Sequence, residues 1–312
     1  FDDPRASAAW TADAIRGVLG LLRWAMPASR TLPAPAAAHD DPPPRVLGDF
    51  RIGREVGRGG MGVVFEAEQI SLGRRVALKM LPFAALVEPR LLQRFHNEAR
   101  AAAGLDHPHV VKVYAVGQDR GVHYIAMQFI DGRPLSDLIR AAHAPETSVP
   151  ADGTAVSLPS TVPLARASTA ADARTAAFVR RAVDLGVQAA DALEHAHSMG
   201  VVHRDVKPGN LLVDAGGNLW VADFGLAKLA SADGGGTGTG DVVGTLRYMS
   251  PEQAQAKHDL VDHRTDVYAL GATLYELLTG RPAAPGPDRV EVLRQITEAE
   301  PVPVRRRNRA VP

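Results

Sequence analysis

The stretch His203-Arg204-Asp205-Val206-Lys207-Pro208-Gly209-Asn210 sets an Asp, a Lys two residues on and an Asn five residues on within reach of one centre. A carboxylate can orient a hydroxyl nucleophile and accept its proton. An ammonium can neutralise charge on a moving phosphoryl group, and an amide oxygen can ligate Mg²⁺. A His-Arg-Asp tripeptide alone is a weak signal, because it recurs by chance in surface loops. Its weight comes from what precedes and follows it.

Downstream, Leu211-Leu212-Val213 and Leu219-Trp220-Val221 flank Asp214-Ala215-Gly216-Gly217-Asn218, the pattern of a hairpin. Asp223-Phe224-Gly225 follows, with Asp223 18 residues after Asp205. A carboxylate at a strand end suits a Mg²⁺ ion that bridges phosphates. Asn210 and Asp223 would face each other across that hairpin. Upstream, Gly57-Arg58-Gly59-Gly60-Met61-Gly62-Val63-Val64 reads G-x-G-x-x-G-x-V. Glycines let backbone N–H groups approach phosphates closely. A dinucleotide site of the Rossmann type is the competing reading, but it needs strand, turn and helix with an acid about 20 residues on. Here β-branched Val63-Val64 follows at once, and the residue 22 after Gly57 is Lys79. The spacing therefore predicts a hairpin, with strands near Arg51 to Val56 and Val63 to Ala67.

Lys79 closes Val76-Ala77-Leu78-Lys79, where Ala77 and Lys79 share one strand face. A single Lys at a strand end would ordinarily be a solvated charge; the glycines upstream favour a phosphate partner. From Pro89 to Leu105, residues Leu91, Phe95, Glu98 and Ala102 recur at helical spacing, and Glu98 on that inner face wants a cation, with Lys79 the candidate. His107-Pro108-His109 reads as a turn with polar caps, because no third metal ligand lies nearby. Strands are expected from Val110 to Val116 and Val122 to Phe129, and helices from Pro134 to Ala142, Asp172 to Met199 and Val267 to Thr279.

Together these motifs resemble those of the eukaryotic-type serine/threonine protein kinases found in bacteria, over residues 50–312. The resemblance implies an α+β bilobal fold with a small β-rich lobe, 50–130, and a larger helical lobe, 131–312, the latter incomplete. It implies an ATP- and Mg²⁺-dependent enzyme, with Mn²⁺ as the alternative ion, acting on Ser and Thr hydroxyls of proteins. Asp205 would orient the hydroxyl, Lys207 and Lys79 would neutralise phosphate charge, and Glu98 would pair with Lys79. Asn210 and Asp223 would hold metal. Gly57, Arg58, Gly59, Gly60, Met61, Gly62 and Val64 would cover the nucleotide. Ala77 lines its base, Met127 stands behind it, and Gln128 and Ile130 bind it through the backbone. Gly244-Thr245-Leu246-Arg247-Tyr248-Met249-Ser250-Pro251-Glu252 resembles the peptide-positioning loop, in which Thr245 bonds the catalytic Asp and Lys. Asp266 would hold the catalytic-loop backbone. The glycine-rich run 234–240 resembles an activation loop, with Thr239, then Thr237, then Ser231 as phosphorylation sites and Arg204 as the clamp. A nucleotide-binding scaffold without catalysis is the alternative, but the base, the metal Asp and the strand Lys are all present.

Composition and ends bound the rest. The 312 residues carry 35 basic and 35 acidic side chains and no cysteine. Zero net charge gives no electrostatic argument for nucleic acid, and disulfides, thiolate metal sites and a Cys nucleophile are excluded. Arg305-Arg306-Arg307 reads as a solvated tail. The early apolar run Gly17 to Leu22 falls short of the ~20 residues that span a bilayer. A cytoplasmic location is expected, with a membrane anchor beyond residue 312 left open and dimerisation for autophosphorylation allowed. Residues 1–49 read as an extension, helical from Ser7 to Met26, ending in a Pro/Ala-rich linker. Residues 143–171 read as a disordered insertion. The resemblance also implies that Glu252 pairs with an Arg on a later helix. No helical pattern follows Glu298, so Glu252 is expected to lack its partner, in a fragment less stable than an intact domain.

Overall fold

The computed structural model describes residues 45–59, 62–81, 96–97, 99–144, 164–224 and 244–312. Glu98, Gly60, Met61, the helix expected at Ser7 to Met26, and Ser231, Thr237 and Thr239 lie outside them. The chain divides into two compact units. The first takes the described residues up to His96 with Val113–Phe129, and the second takes Asn97–Lys112 with Ile130–Pro312. Residues 97–112 therefore join the second unit, although they fall within the smaller lobe as the sequence divides it.

In the first unit the described strands are β1 (Arg45–Leu47), β2 (Phe50–Gly59), β3 (Gly62–Gln69), β4 (Arg74–Met80), β5 (Val113–Asp119) and β6 (Val122–Gln128), in the order β1-β2-β3-β4-β6-β5. Every pairing is antiparallel. The sheet thus begins at Arg45, ahead of the boundary expected at Asp49-Phe50. Val76, Leu78 and Met80 of β4 point to one face and pack with Leu47, Phe50, Ala67 and Ala126. Phe50 meets Tyr124 edge-on at 5.4 Å. Ala77 and Lys79 alternate to the opposite face.

The glycine segment is a hairpin, with β2 and β3 paired as far as Gly59 opposite Gly62. Register shifts between Ile52 and Gly57 curl β2. Gly62 has φ +125°, and a Cβ there would lie 2.0 Å from the Met80 carbonyl oxygen. Gly62→Ala is therefore expected to destabilise the chain by at least about 2 kcal/mol. At Gly57 an added Cβ meets nothing within 4 Å, so Gly57→Ala is expected to cost less than half of that. Urea midpoints of the two variants check the contrast; equal midpoints would contradict it.

In the second unit, helices α1 (Leu135–Ala142), α2 (Leu164–Ser198), α3 (Pro251–Ala254), α4 (Arg264–Thr279), α5 (Arg289–Glu298) and α6 (Val304–Arg307) accompany a small sheet β7 (Gly132–Pro134), β8 (Leu211–Asp214) and β9 (Leu219–Val221). Leu185, Ala189, Leu193 and Ala196 form the buried face of α2. Gly186 lets α4 approach, since a Cβ there would meet Leu274 at 3.1 Å. Helix α2 starts eight residues before the expected Asp172, so the proposed insertion is helical over 164–171, and residues 145–163 lie outside the described ones. Ala165, Ala167, Ala170 and Ala171 favour helix without marking a buried face.

Residues after α5 are also tied down. Tyr275 donates its hydroxyl to Val302 O at 2.8 Å, and Asn308 Nδ2 donates to Leu278 O at 2.8 Å. Arg305, Arg306 and Arg307 are exposed on α6. Among the described residues no helix is long and apolar enough to cross a membrane.

Candidate active site

In the first unit, the β-ladders set Gly57 opposite Val64, Val64 opposite Lys79 and Lys79 opposite Ile125, one row across four strands. Ala77 lies opposite Met127 in the same ladder. Residues directly opposite share a face, so Lys79, Val64 and Ala77 look the same way. Lys79 is only 5% exposed, although its strand position would suit a solvated cation. Its expected pairing with Glu98 involves a residue outside those described. Arg58 grips Glu55 with two hydrogen bonds, at 2.9 and 2.6 Å. The remaining guanidinium N–H groups and the Arg58 backbone are what it has for a phosphate. Met127 is buried and Gln128 ends β6. In the second unit the Ile130 carbonyl accepts from Gly132 N at 3.0 Å.

The second unit holds the loop from His203 to Asn210. Lys207 Nζ donates to Asp205 Oδ2 at 2.7 Å and lies 3.4 Å from Thr245 Oγ1. Asn210 Nδ2 donates to Asp205 Oδ2 at 3.0 Å and to Asp205 O at 2.8 Å. Asp205, Lys207, Asn210 and Thr245 are thus one connected cluster. Both amide hydrogens of Asn210 are used on Asp205, which leaves its Oδ1 as an oxygen donor. Ala222 N donates to Asn210 O at 2.9 Å, so Asn210 stands across the β8–β9 ladder from the residue before Asp223. Asp223 itself has φ +63°.

Among the described residues no three His, Cys, Asp or Glu side chains come together as a metal cluster. One amide oxygen and one carboxylate suit a hard divalent cation that takes its remaining ligands from phosphate and water. The cysteine-free, oxygen-only donor set at Asn210 and Asp223 fits such an ion.

The support beneath the loop is buried. His203 is fully buried and its ring packs on Phe224, centroids 4.6 Å apart. Asp205 N donates to His203 Nδ1 at 3.2 Å, so Nδ1 is the acceptor and Nε2–H donates to Ala222 O at 2.9 Å. Asp266, at 0% exposure, accepts from His203 N at 2.8 Å, from Arg204 N at 2.7 Å and from His197 Nε2 at 2.8 Å. It thereby holds Arg204 in a left-handed conformation, φ +67°. Gln253 Nε2 donates to Arg204 O at 2.9 Å and its Oε1 accepts from Ser250 N at 3.1 Å. The sequence offered no signal for Gln253.

Glu252 is held by a neutral group. The Thr265 hydroxyl donates to its Oε1 at 2.6 Å, and Thr265 in turn meets Ser250 Oγ at 3.1 Å. Burial raises its pKa, the Thr265 and Ser250 hydroxyls lower it, and the balance lies below the ordinary carboxylate value. The hydrogen-bond donor to this carboxylate is thus a hydroxyl on α4. The histidines 107 and 109 form a turn as expected: His109 N donates to His107 Nδ1 at 3.2 Å, and His107 stacks on His195.

Comparison with known proteins agrees with this geometry. A sequence model described as the protein kinase domain matches residues 50–309. The chain is 35% identical over 268 residues to the serine/threonine-protein kinase PrkC of Bacillus subtilis, covering 86% of this chain and 36% of PrkC. It is 40% identical over 253 residues to the serine/threonine-protein kinase Pkn1 of Myxococcus xanthus, covering 80% of this chain and 31% of Pkn1. The chain thus spans about a third of the length of the curated relatives it matches. The crystal structure of a point mutant of the Mycobacterium tuberculosis PknI kinase domain is similar with a TM-score of 0.56 and 25% identity, covering 85% of this chain and 83% of that one. The sequence match runs from the start of β2 past the end of α6 and takes in both the Lys79 strand and the Asp205 loop, so the chain belongs to the protein kinase domain family.

Proposed function

We propose that this chain is a protein serine/threonine kinase that uses ATP and Mg²⁺, with Mn²⁺ as an alternative. The observation that carries the reading is the Asp205 carboxylate fixed by Lys207 and Asn210, with Thr245 on the same lysine. Asp205 orients a Ser or Thr hydroxyl and takes its proton as the hydroxyl oxygen bonds to the γ-phosphorus; the bond from that phosphorus to the ADP oxygen breaks. Lys207 balances charge on the transferred group. Lys79 faces the phosphates, and the β2–β3 hairpin (Gly57 to Gly62, Arg58 included) covers them. Val64, Ala77 and the backbone of Gln128 and Ile130 take the base. A divalent cation held by Asn210 Oδ1 and Asp223 would neutralise charge on the phosphate oxygens. Glu98 belongs to this set as the partner of Lys79.

Arg204 has a buried Nε with no hydrogen-bond partner among the described residues. Arg204 is the proposed clamp for a phosphorylated Thr239, through its terminal nitrogens, with Thr237 and Ser231 next in order. Phosphorylation of that loop by a second copy is part of the same proposal, and proteins rather than nucleic acid are its partners.

Labelled phosphate transfer from ATP to the chain and to a generic basic protein, with Mg²⁺ or Mn²⁺, tests the reading. Mass-spectrometric mapping tests Thr239. Nucleotide binding without transfer under either ion would overturn the kinase assignment. Asn210→Ala is expected to raise the metal concentration for half-maximal transfer about tenfold, equivalent to one contact of ~1.4 kcal/mol. An unchanged metal requirement would remove Asn210 from the metal site.

A further inference from the structure

Among the described arginines, Arg247 is placed differently from those that sit on carboxylates. Arg51, Arg54, Arg58, Arg264 and Arg294 each pair with an Asp or Glu side chain. The Nε of half-buried Arg247 is enclosed and has no hydrogen-bond partner among the described residues. Its terminal nitrogen makes one long bond, 3.3 Å, to Gly286 O. A guanidinium carries five donors; with Nε enclosed and one terminal N–H on Gly286 O, the other terminal N–H groups of Arg247 are what it has for an anion.

Its position is fixed from both sides. Thr245, two residues earlier, reaches Lys207, so the Arg247 backbone lies within about 7 Å of the residue that touches the catalytic cluster. Leu246, next to it, is buried against Ala284, Val292 and Ile296, which pins this segment to α5. The nearby carboxylates are engaged elsewhere. Glu276 accepts the Tyr248 hydroxyl, Glu252 accepts the Thr265 hydroxyl, and Asp262 is held by Arg264. Burial and the bond to Glu276 push the Tyr248 phenol up, which keeps it a donor. Gly209, beside Asn210, contributes no side chain, and the space where its Cβ would stand is open. Lys207 is committed to Asp205 and Thr245, so the cation of this segment that sits on no carboxylate is Arg247.

We infer that Arg247 is a specificity-determining residue that selects acceptor peptides carrying an Asp or Glu side chain within about three residues of the Ser or Thr. At roughly 3.3 Å per residue of extended peptide, three residues cover about 10 Å, comparable with two residues of backbone from Thr245 to Arg247 plus part of an Arg side chain. Planar, bidentate recognition suits a carboxylate, and a basic neighbour in the peptide would meet like charge. The inference rests on the kinase reading and deepens it.

The test uses the whole chain and four matched Thr peptides: one with Glu near the acceptor on its N-terminal side, one with Glu on its C-terminal side, one with Gln at both positions and one with Lys. In the parent, kcat/KM for the better Glu peptide is expected to exceed that for the Gln peptide by roughly fivefold to tenfold, and the Lys peptide is expected to fall below it. In Arg247→Gln the Glu-to-Gln ratio is expected to approach one, and in Arg247→Glu the order is expected to invert towards Lys. Anisotropy of the same peptides, labelled and without nucleotide, should follow the same order, so a chain that transfers nothing still reads the inference. A parent that does not favour Glu, a preference that survives Arg247→Gln, or a fall in both variants equal across all four peptides would each overturn it. Binding in the expected order with no transfer to any peptide would sink the kinase reading instead.

Discussion

Asp205→Asn is expected to lower phosphoryl transfer by about a thousandfold or more, within the range that loss of a positioned base produces. The substitution keeps the shape of the side chain and removes two things. It removes the acceptor for the nucleophile's proton. It also places an amide where Oδ2 now receives both Lys207 Nζ and Asn210 Nδ2. If the new amide presents its oxygen to Lys207, its NH₂ faces the acceptor; if it turns round, it presents donors to two donors. Either way the hydroxyl loses its proton acceptor. Because the Asp205 and Lys207 side chains are largely covered, at 10% and 22% exposure, some stability is lost as well. Backbone anchoring through Asp266 is untouched, so melting should shift by only a few degrees. Initial rates of transfer from ATP to a Thr peptide, beside a thermal melt, check the prediction. A variant within tenfold of the parent rate would remove Asp205 as the base.

How far the sequence carried the fold depended on whether a feature was local. The glycine segment was readable as a hairpin because Val63 and Val64 follow Gly62 directly, and β-branched residues at that point continue a strand. The placing of Lys79 followed from period-two alternation with Ala77, and the hairpin around Asp214 from its turn residues. In the structure Asp214 closes that turn, accepting from Asn218 N and from Trp220 Nε1. The joining of Asp205, Lys207 and Asn210 was within reach because all three lie in one short loop.

The misses are long-range or involve residues without periodic marking. Strand β1 is three residues, too short for any pattern, and forms because β2 offers it an edge. The early start of α2 is written in alanines, which favour helix but show no face. For Glu252 the sequence raised only a cation, because a buried carboxylate without one is costly, and was silent on a hydroxyl. Thr265, 13 residues on, is a hydroxyl that nothing in the sequence links to it. Gln253 reads as an ordinary helix residue until its amide is seen on the Arg204 carbonyl, 49 residues away.

Asp266→Ala is expected to cost about 4 kcal/mol of stability and about a hundredfold in transfer. The carboxylate is wholly buried and accepts three hydrogen bonds, two of them from consecutive backbone N–H groups at His203 and Arg204. Alanine would leave those donors enclosed without acceptors, and one-sided removal of a buried charged partner typically costs 3–5 kcal/mol. Arg204 sits at φ +67°, a conformation that a non-glycine residue keeps only when its surroundings impose it. Once the carboxylate is gone the loop relaxes, and Asp205, the next residue, moves with it. A displacement of about 1 Å is enough for a hundredfold loss of rate. Asp266→Asn should be milder. Its oxygen can still accept one backbone N–H, and its NH₂ can donate to His197 if that ring changes tautomer, but the second backbone donor is left unmet. The order expected in both urea midpoint and transfer rate is therefore parent, Asn, Ala, with the two quantities falling together. If the Ala variant melted like the parent while losing activity, Asp266 would be acting on the reaction directly. If it lost stability but kept its rate, the Gln253 contact to Arg204 O would suffice to hold the loop, and the carboxylate would be only a structural support.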